Sequence, residues 1–96
     1  MDNSLFDWDD ANIVHLAEHE VAPEEAEQVV LGDPLELDFE RTESGEDRWS
    51  YIGETSLGRV LQVVFTMRVE KVRVVTAFKP TLRDELTYLR YKTEQQ

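Results

Sequence analysis

Residues 59 to 68 constrain the fold of this chain more than any other stretch. Leu61, Val63, Phe65 and Met67 alternate with Gln62, Val64, Thr66 and Arg68. Only a strand converts that period of two into one apolar and one polar face. A slip of one residue would exchange the faces and bury Arg68 without a partner. The pattern therefore predicts orientation as well as structure, with Leu61, Val63, Phe65 and Met67 toward a core and Thr66 and Arg68 away from it.

The flanking segments can be read by the same means. Leu5 to Trp8 alternates as a short opening strand, and Asp9-Asp10 supply a cap and a first-turn acid for a helix over residues 10–19. On that helix Ile13, Leu16 and Ala17 share one face, with Asn12, His15 and His19 beside it. Pro23, Glu24 and Glu25 open a second helix whose stripe is Ala22, Ala26, Val29 and Val30, ended by Gly32-Asp33-Pro34. Strands are expected over 35–40, with Leu35, Leu37 and Phe39 on one face, and over 48–54, with Trp49 and Tyr51 together. Residues 41–47 between them read as a mobile loop. After Val69-Glu70, residues 71–78 form a further strand in which Val72, Val74 and Thr76 alternate with Lys71, Arg73 and Val75. Thr81 and Asp84 resemble a capping box for a last helix with Leu82, Leu86 and Leu89 as its core stripe. The order of elements predicts an α+β domain with two N-terminal helices and a C-terminal helix packed in two layers on an antiparallel sheet of three to four strands. One domain over residues 1–96 is expected, frayed at 1–4 and 93–96.

Charge is divided sharply along the chain. Residues 1–47 hold 16 Asp and Glu against Arg41 alone, a charge of −15, whereas residues 48–96 hold nine Lys and Arg against five acids, a charge of +4; together these make the net −11. The strand-rich half thus carries a local basic face on an acidic body, which could hold a polyanion that the overall field repels. The absence of cysteine excludes disulfides, thiolate nucleophiles and Cys-ligated zinc. No stretch approaches the roughly 20 apolar residues of a membrane span. The N-terminus has no signal-peptide pattern, so a cytoplasmic location is expected.

Two constellations could carry chemistry. His15-Leu16-Ala17-Glu18-His19 matches the H-x-x-E-H pattern, in which imidazoles one turn apart can reach one zinc. No third ligand follows at a credible spacing, and no metal or other cofactor is expected. The second constellation is the cationic and hydroxyl set Arg48, Thr66, Arg68, Arg73, Lys79, Arg83 and Tyr88. Cations fixed on a sheet suit a phosphate and the charge it gains during transfer. Exposed strands also carry Lys and Arg for solubility and to guard edges, and spacing alone leaves both readings open. Gly32, Gly45, Gly53 and Gly58 are isolated turn glycines and form no phosphate loop.

The ordered series Phe6-Asp7-Trp8-Asp9, His19, Val21, Glu24-Glu25-Ala26 and Asp33-Pro34 resembles the opening of the BrnT family of toxins from type II toxin–antitoxin modules. Arg48, Gly53, residues 58–61, residues 63–68, residues 72–77, Lys79, Arg83, Glu85 and Tyr88 extend the resemblance over about 85 of the 96 residues. It implies a RelE-like fold and a metal-independent endoribonuclease held inactive by a DNA-binding antitoxin of the BrnA type. Carried over by position, His19, Arg68, Arg73, Lys79 and Tyr88 are the catalytic candidates, and Arg48, Thr66 and Arg83 the RNA-phosphate contacts. The partners implied are a BrnA-like antitoxin and RNA, with no membrane; a homodimer stays open. The chain departs from the family, which usually has Lys in place of Asn12, Asn in place of His15, a basic residue in place of Glu18, Gly in place of Glu20 and often Arg in place of Phe78. Lost phosphate contacts and added carboxylates both weaken RNA binding. The alternative is therefore a non-catalytic acidic interaction domain that keeps the fold.

Overall fold

A computed structural model describes residues 4–95. The elements run α1 (Asp10–Glu18), α2 (Pro23–Leu31), β1 (Leu35–Arg41), β2 (Asp47–Glu54), β3 (Val60–Arg68), β4 (Lys71–Phe78) and α3 (Leu82–Glu94). The four strands form one antiparallel sheet in the order β1-β2-β3-β4. This is the α+β arrangement of three helices and a sheet that the sequence predicts. The expected opening strand is reduced to a single parallel bridge, in which Asp7 N donates to Val72 O and Val72 N to Leu5 O, both at 2.8 Å. Of the ends expected to fray, residues 1–3 and 96 lie outside the described residues, while Thr93 and Glu94 are helical.

Local chemistry sets each helix boundary. Asp9 accepts from Asn12 N at 3.2 Å and Asn12 Oδ1 accepts from Asp9 N at 2.9 Å, a reciprocal cap for α1. Asn12 is buried, and its amide nitrogen also donates to Asp7 O and Val74 O, fastening α1 along the β4 edge. Pro23 occupies the first turn of α2, and Glu25 reaches back to Ala22 N at 3.0 Å. Thr81 caps α3 by accepting from Asp84 N.

The core joins Leu16, Val21, Ala26 and Val29 to Leu61, Val63, Phe65, Val74 and Ala77, with Phe6 completing it. Phe65 stacks on Trp49 at 5.7 Å and meets Tyr51 edge-on at 4.8 Å. The orientation expected for β3 holds for Leu61, Val63 and Phe65. Met67, at the free end of the hairpin, is 47% exposed, because α1 and α2 do not extend that far. Ile13 and Ala17 on α1 and Ala22 before α2 are likewise exposed rather than in the core.

Two bulges overturn expected faces. On β1 the register slips between Glu36 and Asp38, so Leu35 pairs with Ile52 while Phe39 pairs with Trp49. Leu35 and Phe39 thus lie on opposite faces, since the inserted residue reverses the alternation. On β4 the slip opposite Val64 and Phe65 leaves Val75 unpaired, so Ala77 rather than Thr76 follows Val74 into the core. The segment between β1 and β2 is shorter than expected: Arg41 and Asp47 are in strands, bridged at 2.6 and 3.1 Å, and a hydrogen-bonded turn over 42–46 connects them. Gly53 lies inside β2, where a side chain would crowd Pro34 and Val29 at 3.3 Å.

α3 differs most from expectation. Leu82, Leu86 and Leu89 are 71%, 50% and 42% exposed, so they are not a core stripe. The residue α3 buries is Tyr88, whose hydroxyl donates to Glu54 Oε1 at 3.0 Å; Lys92 Nζ donates to the same oxygen at 3.0 Å. By alternation, Glu54 and Ile52 lie opposite Trp49, Tyr51 and Gly53. The third helix is therefore held against one end of the sheet face that α2 leaves open.

Candidate functional site

The remainder of that open face is a shallow basin of about 430 Å³. Its floor is Arg48 on β2, Thr66 and Arg68 on β3, and Arg73 on β4, with Glu46 at one rim. Thr66 and Arg73 are cross-strand partners, and Thr66 Oγ1 donates to Asp47 O at 2.7 Å, which explains its burial outside the core. The wall at the β4 edge is α1. Asn12, His15 and His19 recur every three or four residues and so share the side of α1 turned toward the open face. Asn12 and His15 line the basin. His19 extends the wall, meeting His15 edge-on at 5.4 Å and Phe78 at 6.1 Å.

Each cation has a carboxylate beside it. Arg48 Nε is 2.9 Å from Glu46 Oε1, and Arg68 Nη2 is 3.8 Å from Glu46 Oε2. Arg73 is gripped by Asp9 at 3.1 and 3.2 Å and by Asp7 at 3.4 Å. The hydrogen bond from Arg73, aided by that from Asn12 N, holds the Asp9 carboxyl below the usual carboxylate range. The same hydrogen bond raises the Arg73 guanidinium further, against the effect of burial. His15 Nδ1 lies 3.5 Å from Glu18 Oε1.

Of the residues singled out from sequence, Arg48, Thr66, Arg68 and Arg73 converge. Lys79 follows the far end of β4, six residues from Arg73 and roughly 20 Å along the strand. Arg83 is exposed on α3, and among the described residues neither it nor Lys79 makes an ion pair. Tyr88 is buried away from the basin; burial, then the Glu54 carboxylate, pushes its hydroxyl above the ordinary tyrosine range. His15, which the sequence offers only within the H-x-x-E-H pattern, and Glu46, which it offers only as part of a loop, are the two titratable basin residues absent from the expected cationic set. The shared helix side of Asn12, His15 and His19 was the available signal for the first; nothing local marked the second. Among the described residues no three His, Asp or Glu side chains gather as a metal site, and no helix is long and apolar enough to cross a membrane.

The molecule is thus an α+β protein whose sheet carries α1 and α2 on one face and a cluster of carboxylate-paired arginines on the other. Residues 8–84 match the sequence profile of the ribonuclease toxin BrnT of type II toxin–antitoxin systems. The chain belongs to that family of ribonuclease toxins, and membership implies an antitoxin partner. No individual curated protein matches it.

Proposed function

We propose that the basin binds and cleaves RNA without a metal ion, as a RelE-like endoribonuclease neutralised by a BrnA-like antitoxin in the cytoplasm. The observation that carries this reading is the convergence of Arg48, Arg68 and Arg73 beside an imidazole in a chain of net charge −11. Such a cluster opposes the overall field and is suited to a phosphodiester. In the reaction, an imidazole from the His15–His19 wall takes the ribose 2′-OH proton. The O2′–P bond then forms as the P–O5′ bond breaks, the arginines hold the charge gathered on the non-bridging oxygens, and the other imidazole of that wall, entering in its protonated form, gives its proton to the departing 5′ oxygen. The products are a 2′,3′-cyclic phosphate and a 5′-hydroxyl. Lys79 and Arg83, beyond the basin, then contact flanking phosphates rather than the scissile one. Tyr88 serves the attachment of α3, since its hydroxyl is engaged by Glu54.

The second reading, a non-catalytic interaction domain, is favoured by one observation: every basin arginine already has a carboxylate partner. Expression in a bacterial host without an antitoxin separates the two. The ribonuclease reading expects growth arrest and loss of RNA, cleavage by purified protein that persists in EDTA, and its suppression by salt as few cations work against a repulsive body. Arg68→Ala should reduce cleavage by about 100-fold or more without altering the fold. Intact RNA and normal growth with folded protein at high level would leave only the interaction domain.

A further inference from the structure

The carboxylates that occupy the basin are not equivalent. Asp9, which holds Arg73, is also the cap of α1, and Asp7 lies in the segment bridged to β4. Asp9 therefore cannot leave Arg73 without disturbing that cap. Glu46 is different. Its backbone is fixed at both ends, by Thr42 N donating to Glu46 O at 2.8 Å and Glu46 N donating to Thr42 Oγ1 at 3.1 Å. Among the described residues its side chain is engaged by Arg48 and Arg68 alone. A rotation about its side-chain bonds would expose both guanidinium groups while the turn stayed in place.

We propose that Glu46 is a built-in competitor for RNA: in the free protein its carboxylate takes the place of a phosphodiester between Arg48 and Arg68, and it is displaced when RNA enters. This rests on the basin being the RNA surface and adds how its affinity is set. Two carboxylate oxygens offer the arginines the same planar pair of acceptors as two non-bridging phosphate oxygens. The Arg48 and Arg68 side chains are 39% and 53% exposed, so solvent screens their pairing with Glu46. An incoming phosphate therefore has a weak pair to replace. Phosphate binds where Glu46 now sits, with Arg73 as a fixed neighbouring charge.

The test is binding of a 2′-deoxy oligonucleotide, which carries phosphodiesters but no 2′-OH to attack, measured by calorimetry on the full chain. Glu46→Gln keeps the shape and removes the charge. Glu43→Gln, at an exposed position of the same turn, changes net charge equally and serves as the control. Glu46→Gln should tighten binding about three- to fivefold relative to Glu43→Gln, and the Arg48 and Arg68 Nε–H resonances of the wild type should shift on titration. Equal affinity of the two variants, or weaker binding by Glu46→Gln, overturns the competitor role. Arg68→Gln keeps the two failures apart. If it lowers affinity while Glu46→Gln matches the control, the phosphate site stands and the competitor falls. If neither variant changes binding, or no oligonucleotide binds, the RNA surface itself is overturned and the competitor with it.

Discussion

On the sheet face toward α1 and α2, Val63, Phe65 and Val74 meet Leu16, Ala26 and Val29 in a wholly apolar contact. On the opposite face of the same sheet Arg48, Arg68 and Arg73, from β2, β3 and β4, meet carboxylates of their own chain. The first face is held by area removed from water, which no solute can replace. The second is held by partly exposed ion pairs, which an external anion can exchange. Stability and ligand access are thus divided between the two sides of one sheet. Substitutions should show that division as a separation of stability from RNA cleavage.

The largest expected loss of stability is on the packed face. Phe65→Ala should cost on the order of 3 kcal/mol or more in urea unfolding, whereas Arg68→Ala on the open face should stay within about 0.5 kcal/mol. Comparable losses for both would mean that the faces are not divided as described. Asn12 joins the two sides, since it caps α1 and satisfies the buried Val74 carbonyl beside the β4 bulge. Asn12→Ala should therefore cost about 1–3 kcal/mol by leaving Val74 O without its partner, again read from urea midpoints.

A gain is expected at the hairpin tip. Val69 has φ 52° and is 90% exposed, a left-handed conformation that a β-branched residue adopts only under strain. Val69→Gly should raise stability by about 1 kcal/mol, and a fall in the thermal midpoint would show that Val69 has contacts that outweigh its strain.

The smallest effect concerns acid. The Asp9 carboxyl is held low in the folded state, chiefly by Arg73, so its contribution is present above its unfolded value, near 4, and is lost as pH falls through its folded value. Arg73→Gln should reduce the stability difference between pH 7 and pH 3. An unchanged acid limb would assign that sensitivity to other carboxylates, such as Glu54, held low by Lys92 and Tyr88.

Much of this architecture was legible in the chain. The alternation in β3 placed Leu61, Val63 and Phe65 correctly, and Asp9, Pro23 and Thr81 marked helix starts within a residue, because caps and strand period are local properties. The basic second half also pointed to Arg48, Thr66, Arg68 and Arg73, which share the open face through strand register. Bulges at Leu37 and Val75 could not be read, since a bulge is a compromise between two strands and leaves no necessary mark in either one. The leucines of α3 read as a core stripe for a similar reason: helical period reports which residues share a side, not which side meets the sheet.

The sequence by itself determined the elements, their order and the charge available to the second half, because propensity, capping and periodicity act over a few residues. Tertiary structure alone decided that α3 turns Tyr88 rather than its leucines inward, that His15 joins the arginines, and that Glu46 stands between Arg48 and Arg68. Those outcomes depend on contacts between residues far apart in the chain, such as Tyr88 with Glu54 and Asn12 with Val74, and no local pattern encodes the geometry of such a meeting.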